Sequence, residues 1–138
     1  MEIEKGYHCA YSIKYHIVWI SKCRYKKFFG QVEKRTQEVL KQIASEYDWT
    51  IEEIDISSDH IHLYLSSEPT DAPDAIIKWL KSDSSKILGK EYPYLKNKKN
   101  AVWARGYFIT TVNDKTTSET IKRYIRNQKQ SSNQGRLF

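Results

Sequence analysis

Cysteine is scarce. Cys9 and Cys23 are the two in the chain, too few for a disulfide framework and without the paired CxxC spacing that a zinc site uses. A reduced, cytoplasmic setting is therefore expected. Long apolar runs are missing as well: no segment approaches the roughly 20 apolar residues of a membrane span. Residues 1–11 hold acids and a lysine where a signal peptide would have its apolar core. The expectation is a soluble, unexported protein with no membrane partner. The chain also lacks internal repeats and low-complexity tracts.

What is present fits one unit. With 138 residues the chain can bury one core and is too short for two comfortable ones, so 1–138 is expected to be a single domain. Charge is unevenly distributed. Residues 1–30 carry six Lys/Arg against two acids, 31–95 carry seven against thirteen, and 96–138 carry ten against two. Two basic ends with interleaved Tyr and Trp suit a polyanion, because neutralising phosphates releases condensed counterions. Basic composition is also common in proteins that bind no nucleic acid, so it does not decide function.

The apolar pattern predicts the elements. Tyr11 to Ile20 alternates Tyr11, Ile13, Tyr15, Ile17 and Trp19 on one side, as a strand does. Val32 to Tyr47 sets Val32, Leu40, Ile43, Ala44 and Tyr47 near helical spacing. Thr50 to Ile56 and His60 to Ser66 read as two strands joined through Ser57, Ser58 and Asp59, a hairpin by length and residue type. Asp74 to Leu88 follows Pro73 and predicts a helix ending at Gly89. Lys90 to Asn100 reads as a surface loop and Tyr107 to Val112 as a fourth strand. Thr116 and Glu119 form a capping box for a last helix over about 117–130. The order βαββαβα predicts an α+β fold: an antiparallel β-sheet with packed helices, a ferredoxin-like or RRM-like βαββαβ core, and an additional C-terminal helix.

Two constellations carry chemistry. In His60-Ile61-His62 on a strand, the period of two sends both imidazoles to one face and Ile61, Leu63 and Leu65 to the other. That is half of a metal site, although two histidines on the wet face of a strand are more often bystanders. On the terminal helix, Tyr124 and Gln128 stand four residues apart and share a face. A lone helical Tyr beside Ile121 and Ile125 more often extends the apolar stripe.

Together the motifs resemble the single-tyrosine transposases of the HUH superfamily (U, a hydrophobic residue), specifically those of IS200-like insertion sequences. The resemblance is carried by Tyr15-His16-Ile17-Val18-Trp19, Ser58-Asp59-His60-Ile61-His62-Leu63, Lys78-Trp79-Leu80-Lys81 with Ser84-Ser85, Tyr107-Phe108 with Thr111-Val112, and Ile121-Lys122-Arg123-Tyr124-Ile125 through Asn127-Gln128. Ser58 departs from the proline often found before the Asp-His, and Ala104-Arg105-Gly106 is not the commonest version of its segment.

The resemblance implies that His60, His62 and Gln128 bind a divalent cation, Mg²⁺ or Mn²⁺, and that Tyr124 is the catalytic nucleophile. It implies cleavage and rejoining of single-stranded DNA at insertion-sequence ends, with hairpins near those ends, through a 5′-phosphotyrosine. It further implies a homodimer in which the terminal helix docks in cis or in trans. Candidate DNA contacts are Lys14, Lys22, Arg24, Lys81, Lys86, Arg105, Lys122, Arg123 and Arg126. Lys122 and Arg123 flank the nucleophile. A noncatalytic RNA-recognition module is the rival, since Arg105-Gly106-Tyr107-Phe108 loosely matches the start of its aromatic signature. A rolling-circle or conjugative HUH endonuclease shares the chemistry but usually needs a longer chain.

Overall fold

A computed structural model describes residues 3–6, 8–21, 27–96 and 101–111. The predicted terminal helix, about 117–130, lies outside them. Four strands form the main sheet: β3 (Lys14–Ile20), β4 (Thr50–Ser57), β5 (His60–Ser66) and β6 (Phe108–Thr111). Before them, β1 (Glu4–Gly6) and β2 (Cys9–Tyr11) pair as a separate two-stranded ribbon. Helices α1 (Gln31–Glu46) and α2 (Pro73–Glu91) follow β3 and β5. The sheet order β4-β5-β3-β6, with every neighbouring pair antiparallel, is the split βαβ arrangement that the element order predicted.

The core lies between the sheet and the two helices. Ile17 and Trp19 of β3 and Ile61, Leu63 and Leu65 of β5 are fully buried. They meet Val39, Leu40 and Ile43 of α1 and Ile76, Ile77, Leu80 and Leu88 of α2 in one cluster. The α1 residues recur at helical spacing, and Pro73 opens α2 where its missing N–H costs no helical bond. An Arg35–Glu91 pair, with Nε and Nη2 each 2.8 Å from a carboxylate oxygen, ties the helices at the surface.

In β4 the apolar residues Ile51, Ile54 and Ile56 do not alternate strictly. A bulge between Ile51 and Glu53 absorbs the extra residue, so Ile51, Ile54 and Ile56 pair with Leu65, Leu63 and Ile61 on the core side. Glu53, Asp55 and Ser57 consequently pair with Tyr64, His62 and His60 on the opposite face.

Three boundaries differ from expectation. The strand expected over Tyr11 to Ile20 is interrupted at Ser12 and Ile13, where the Ile13 carbonyl accepts the Ser67 N–H at 3.0 Å. Helix α2 runs past Gly89 to Glu91. Gly89 is not a stop but a close approach: a Cβ there would stand 2.8 Å from Lys96 Cδ. Part of the expected 90–100 loop is a single 3₁₀ turn, Pro93–Leu95, with Leu95 buried against the core.

The approach to β6 is held by aromatic packing. Trp103 stacks on Phe28 at 4.8 Å between centroids, meets Trp19 edge-on at 5.7 Å, and donates Nε1–H to Ser84 Oγ at 2.9 Å.

Candidate functional site

The face of the sheet opposite the helices gathers the chemistry. Register places His16, Val18 and Ile20 of β3 beside Tyr64, His62 and His60 of β5, with Phe108 and Thr110 of β6 beyond. Directly paired residues in a ladder point to the same side. The two imidazoles of the HxH motif therefore share a face, while Ile61 between them is fully buried on the other. Val18 and Ile20 are also buried, at 0% and 1% exposure, and give the histidine face an apolar centre.

Each imidazole of the motif is engaged through one ring nitrogen. The β4–β5 turn brings Asp59 against its neighbour, and His60 Nδ1–H donates to Asp59 Oδ1 at 3.0 Å. Asp59 is buried at 6% exposure, and its carboxylate can only accept, so Nδ1 carries the N–H and Nε2 is the ring nitrogen turned away from Asp59. His62 Nε2 lies 3.0 Å from His16 Nδ1, and the two rings stack with centroids 5.2 Å apart. Burial lowers the His62 pKa first, and the neighbouring His16 adds to that; Asp55 and Glu53 oppose it. His16 is likewise lowered by burial against an opposing Glu53. The neutral rings that result are the form that coordinates metals.

The donor chemistry suits a divalent transition-type cation: two imidazoles on one face, one of them oriented by a carboxylate. Among the described residues, no group of three or more His, Cys, Asp or Glu side chains could hold a metal ion. A further ligand of another type, such as an amide, would complete such a site.

The other predicted residues fall in different places. Lys14 lies on the histidine face, with Nζ 5.8 Å from the centre of the Tyr64 ring. Lys81 lies on the helical side, where Nζ donates to Ala104 O at 2.7 Å and Gly106 O at 2.8 Å. It serves as a strut between α2 and the approach to β6. Lys86 is exposed on α2, and Arg105 is exposed in a groove with Lys78, Ser82, Ser85 and Tyr107. Tyr124, Gln128, Lys22, Arg24, Lys122, Arg123 and Arg126 lie outside the described residues. Sequence reasoning did not single out His16 or Asp59 for the site. For Asp59 the adjacency to His60 was an available signal; His16 stood in the Tyr15–Trp19 motif, but its partner His62 follows only from the strand register.

Comparison with known proteins decides the class. The family model described as "Transposase IS200 like" matches residues 9–128. The chain belongs to the IS200-like transposase family. The ISDra2 transposase TnpA of Deinococcus radiodurans is 32% identical over 130 residues, covering 93% of this chain and 92% of the relative. The transposase for insertion sequence element IS200 of Salmonella typhimurium is 30% identical, covering 93% of this chain and 84% of its own length. A crystal structure of a candidate transposase from D. radiodurans R1 superposes with a TM-score of 0.85 at 27% identity, covering 91% of this chain and 97% of that one. A REP-associated tyrosine transposase bound to a REP hairpin shares the fold, with a TM-score of 0.57 at 12% identity, covering 96% of this chain and 76% of that one. Membership of the transposase family removes the noncatalytic RNA-recognition module as a rival. No helix among the described residues is long and apolar enough to cross a membrane.

Proposed function

We propose that this transposase cuts and rejoins single-stranded DNA at insertion-sequence ends through an ester at Tyr124, working as a homodimer with a divalent cation held by His60, His62 and Gln128. The observation that carries the proposal is the pair of His60 and His62 on one sheet face, with His60 Nδ1 committed to Asp59. A bound Mg²⁺ or Mn²⁺ would withdraw charge from a nonbridging phosphate oxygen and fix the phosphate for in-line attack.

The chain's own residues do the remainder. The Tyr124 phenol, with an ordinary pKa of about 10, gives up its proton as its oxygen attacks phosphorus. The bond from phosphorus to the 3′ oxygen breaks, and that oxygen takes up a proton to become a free 3′ hydroxyl. The DNA 5′ phosphate is left esterified to Tyr124. Because this ester conserves the cleaved linkage, another 3′ hydroxyl can attack it, release the phenol and reseal the strand without ATP. A water nucleophile would release the end irreversibly. One tyrosine handles one end at a time, so excision with exchange of partners suits two copies, and symmetric dimers are the commonest oligomers. Lys122 and Arg123, adjacent to the nucleophile, and Lys14, on the histidine face, are the cations best suited to contact phosphates.

The test is denaturing electrophoresis of the protein incubated with Mg²⁺ or Mn²⁺ and single-stranded oligonucleotides carrying element ends. A covalent protein–DNA adduct is expected, and Tyr124→Phe abolishes it. Persistence of the adduct in Tyr124→Phe would reject the nucleophile, and undiminished cleavage with a chelator present would reject the metal.

A further inference from the structure

His16 is a third imidazole on the catalytic face, contributed by a strand that carries no part of the HxH motif. Its Nδ1 lies 3.0 Å from His62 Nε2, the ordinary length of a single N–H···N hydrogen bond. The rings stack at 5.2 Å and 28°, and His16 also packs against Tyr64 at 5.1 Å. Two properties follow from this contact. It accommodates one proton, so one ring donates and the other accepts; with His62 Nε2–H donating to His16 Nδ1, the His62 lone pair is left on Nδ1. It also restrains rotation of the His62 ring, which sits in a strand and would otherwise have its second torsion set only by packing.

We infer that His16 is a positioning residue for the metal site: through its hydrogen bond and stack it fixes the His62 ring with Nε2–H given to His16 and the Nδ1 lone pair left for the cation. Asp59 likewise fixes the His60 ring from the neighbouring position. The two ligands are thus steadied by different chemistry, a carboxylate for one and an imidazole for the other. Position within the sheet supports the assignment. His16 is paired with Tyr64 rather than with His62, so it reaches His62 diagonally from an adjacent strand. Diagonal neighbours on one face lie about 7–8 Å apart at the backbone, within reach of aromatic side chains. Outer-shell partners of metal-bound histidines typically contribute 10- to 100-fold in metal affinity, a scale that applies here as an order of magnitude.

This inference rests on the metal site proposed above, and the experiment separates the two. Mn²⁺ affinity is read directly, without DNA, from the electron paramagnetic resonance signal of the free ion during titration of full-length wild type, His60→Ala, His16→Ala and His16→Asn. In His60→Ala the affinity is expected to be lost. In His16→Ala it falls about 10- to 100-fold. His16→Asn, which keeps a polar atom near the place of Nδ1, recovers much of that loss. Nitrogen-15 NMR of the metal-free protein adds a readout that general destabilisation would not move: one neutral tautomer for the His62 ring in wild type, and averaging between two in His16→Ala. Affinity in His16→Ala equal to or above wild type, with His60→Ala still deficient, overturns the role of His16 alone. Wild type that binds no Mn²⁺, or binding indifferent to His60→Ala, overturns the metal site and this inference with it. A variant whose thermal melt shows loss of folding is replaced by His16→Gln, judged by the same two outcomes.

Discussion

Asp59 and His60 are neighbours in sequence whose side chains close on each other, Oδ1 to Nδ1 at 3.0 Å, at the end of a two-residue turn between strands. Sequence neighbours on an extended strand would point to opposite faces. Asp59 reaches His60 because it belongs to the turn. Its main-chain carbonyl accepts the Ser21 N–H at 2.9 Å, which anchors the turn to the end of β3. Asp59→Asn is expected to keep the fold while no longer holding His60 to one tautomer, since an amide can donate as well as accept where a carboxylate only accepts. Single-stranded DNA cleavage at limiting Mn²⁺ should fall about 10- to 100-fold and recover partly at high Mn²⁺. Equal activity across the metal titration would show that Asp59 has no part in orienting His60.

Lys81 shows how a cation on a basic protein can be structural. Its two bonds to Ala104 O and Gly106 O leave those carbonyls without that donor in Lys81→Met. The expected cost is about 1–3 kcal/mol per unsatisfied buried group at the upper end, measured by urea unfolding. Single-stranded DNA affinity at fixed salt should change far less than in Lys122→Ala.

The same lysine predicts a pH dependence. Burial lowers its pKa from 10.5 to about 8. The folded value lies below the unfolded one, so between about pH 8 and 10.5 the unfolded chain binds more protons and stability rises with pH. The Lys81 contribution is therefore complete above the unfolded pKa and declines as pH falls through the folded one. Stability of wild type minus that of Lys81→Met should increase across this window. A flat difference would mean that the native amine stays charged throughout.

Gly89 sits inside α2 beneath the Lys96 side chain, with Cγ and Cδ 3.0 and 2.8 Å from where a Cβ would be. Alanine in a helix interior is favoured over glycine by about 0.5–1 kcal/mol. Gly89→Ala alone should gain less than that, because Lys96 must move. Gly89→Ala combined with Lys96→Ala should exceed the sum of the two single changes, as thermal melts of all four proteins would reveal. Strict additivity would place Lys96 away from the glycine.

Much of this arrangement was legible in the order of residues, for a definite reason. The faces of β3 and β5 follow from a period of two, so Ile17, Trp19, Ile61, Leu63 and Leu65 could be assigned to the core and His60 and His62 to one side. Helical spacing did the same for Leu40, Ile43, Ile76 and Leu80. What could not be read depends on partners far away in the chain. The ribbon of Glu4–Gly6 with Cys9–Tyr11 has no apolar alternation to announce it. His16 meets His62 only because one particular register joins β3 to β5. Lys81 resembles any surface cation until two carbonyls are folded over it. Glycine read as punctuation misled at Gly89, where the requirement was room for a neighbouring side chain. Tyr124 and Gln128, named from the motif alone, lie outside the described residues.

The irregularity at Glu52 bears on how this lineage could vary. The sheet is paired Ile51 to Leu65 and then Glu53 to Tyr64, so the gene carries one codon more here than the ladder uses. In-frame loss of that codon would leave Thr-Ile-Glu-Ile-Asp-Ile, an unbroken alternation with every isoleucine still inward and both acids still outward. A relative shortened at this point could keep its histidine-bearing surface unaltered, giving up little beyond the contact of Ser66 with the missing carboxylate.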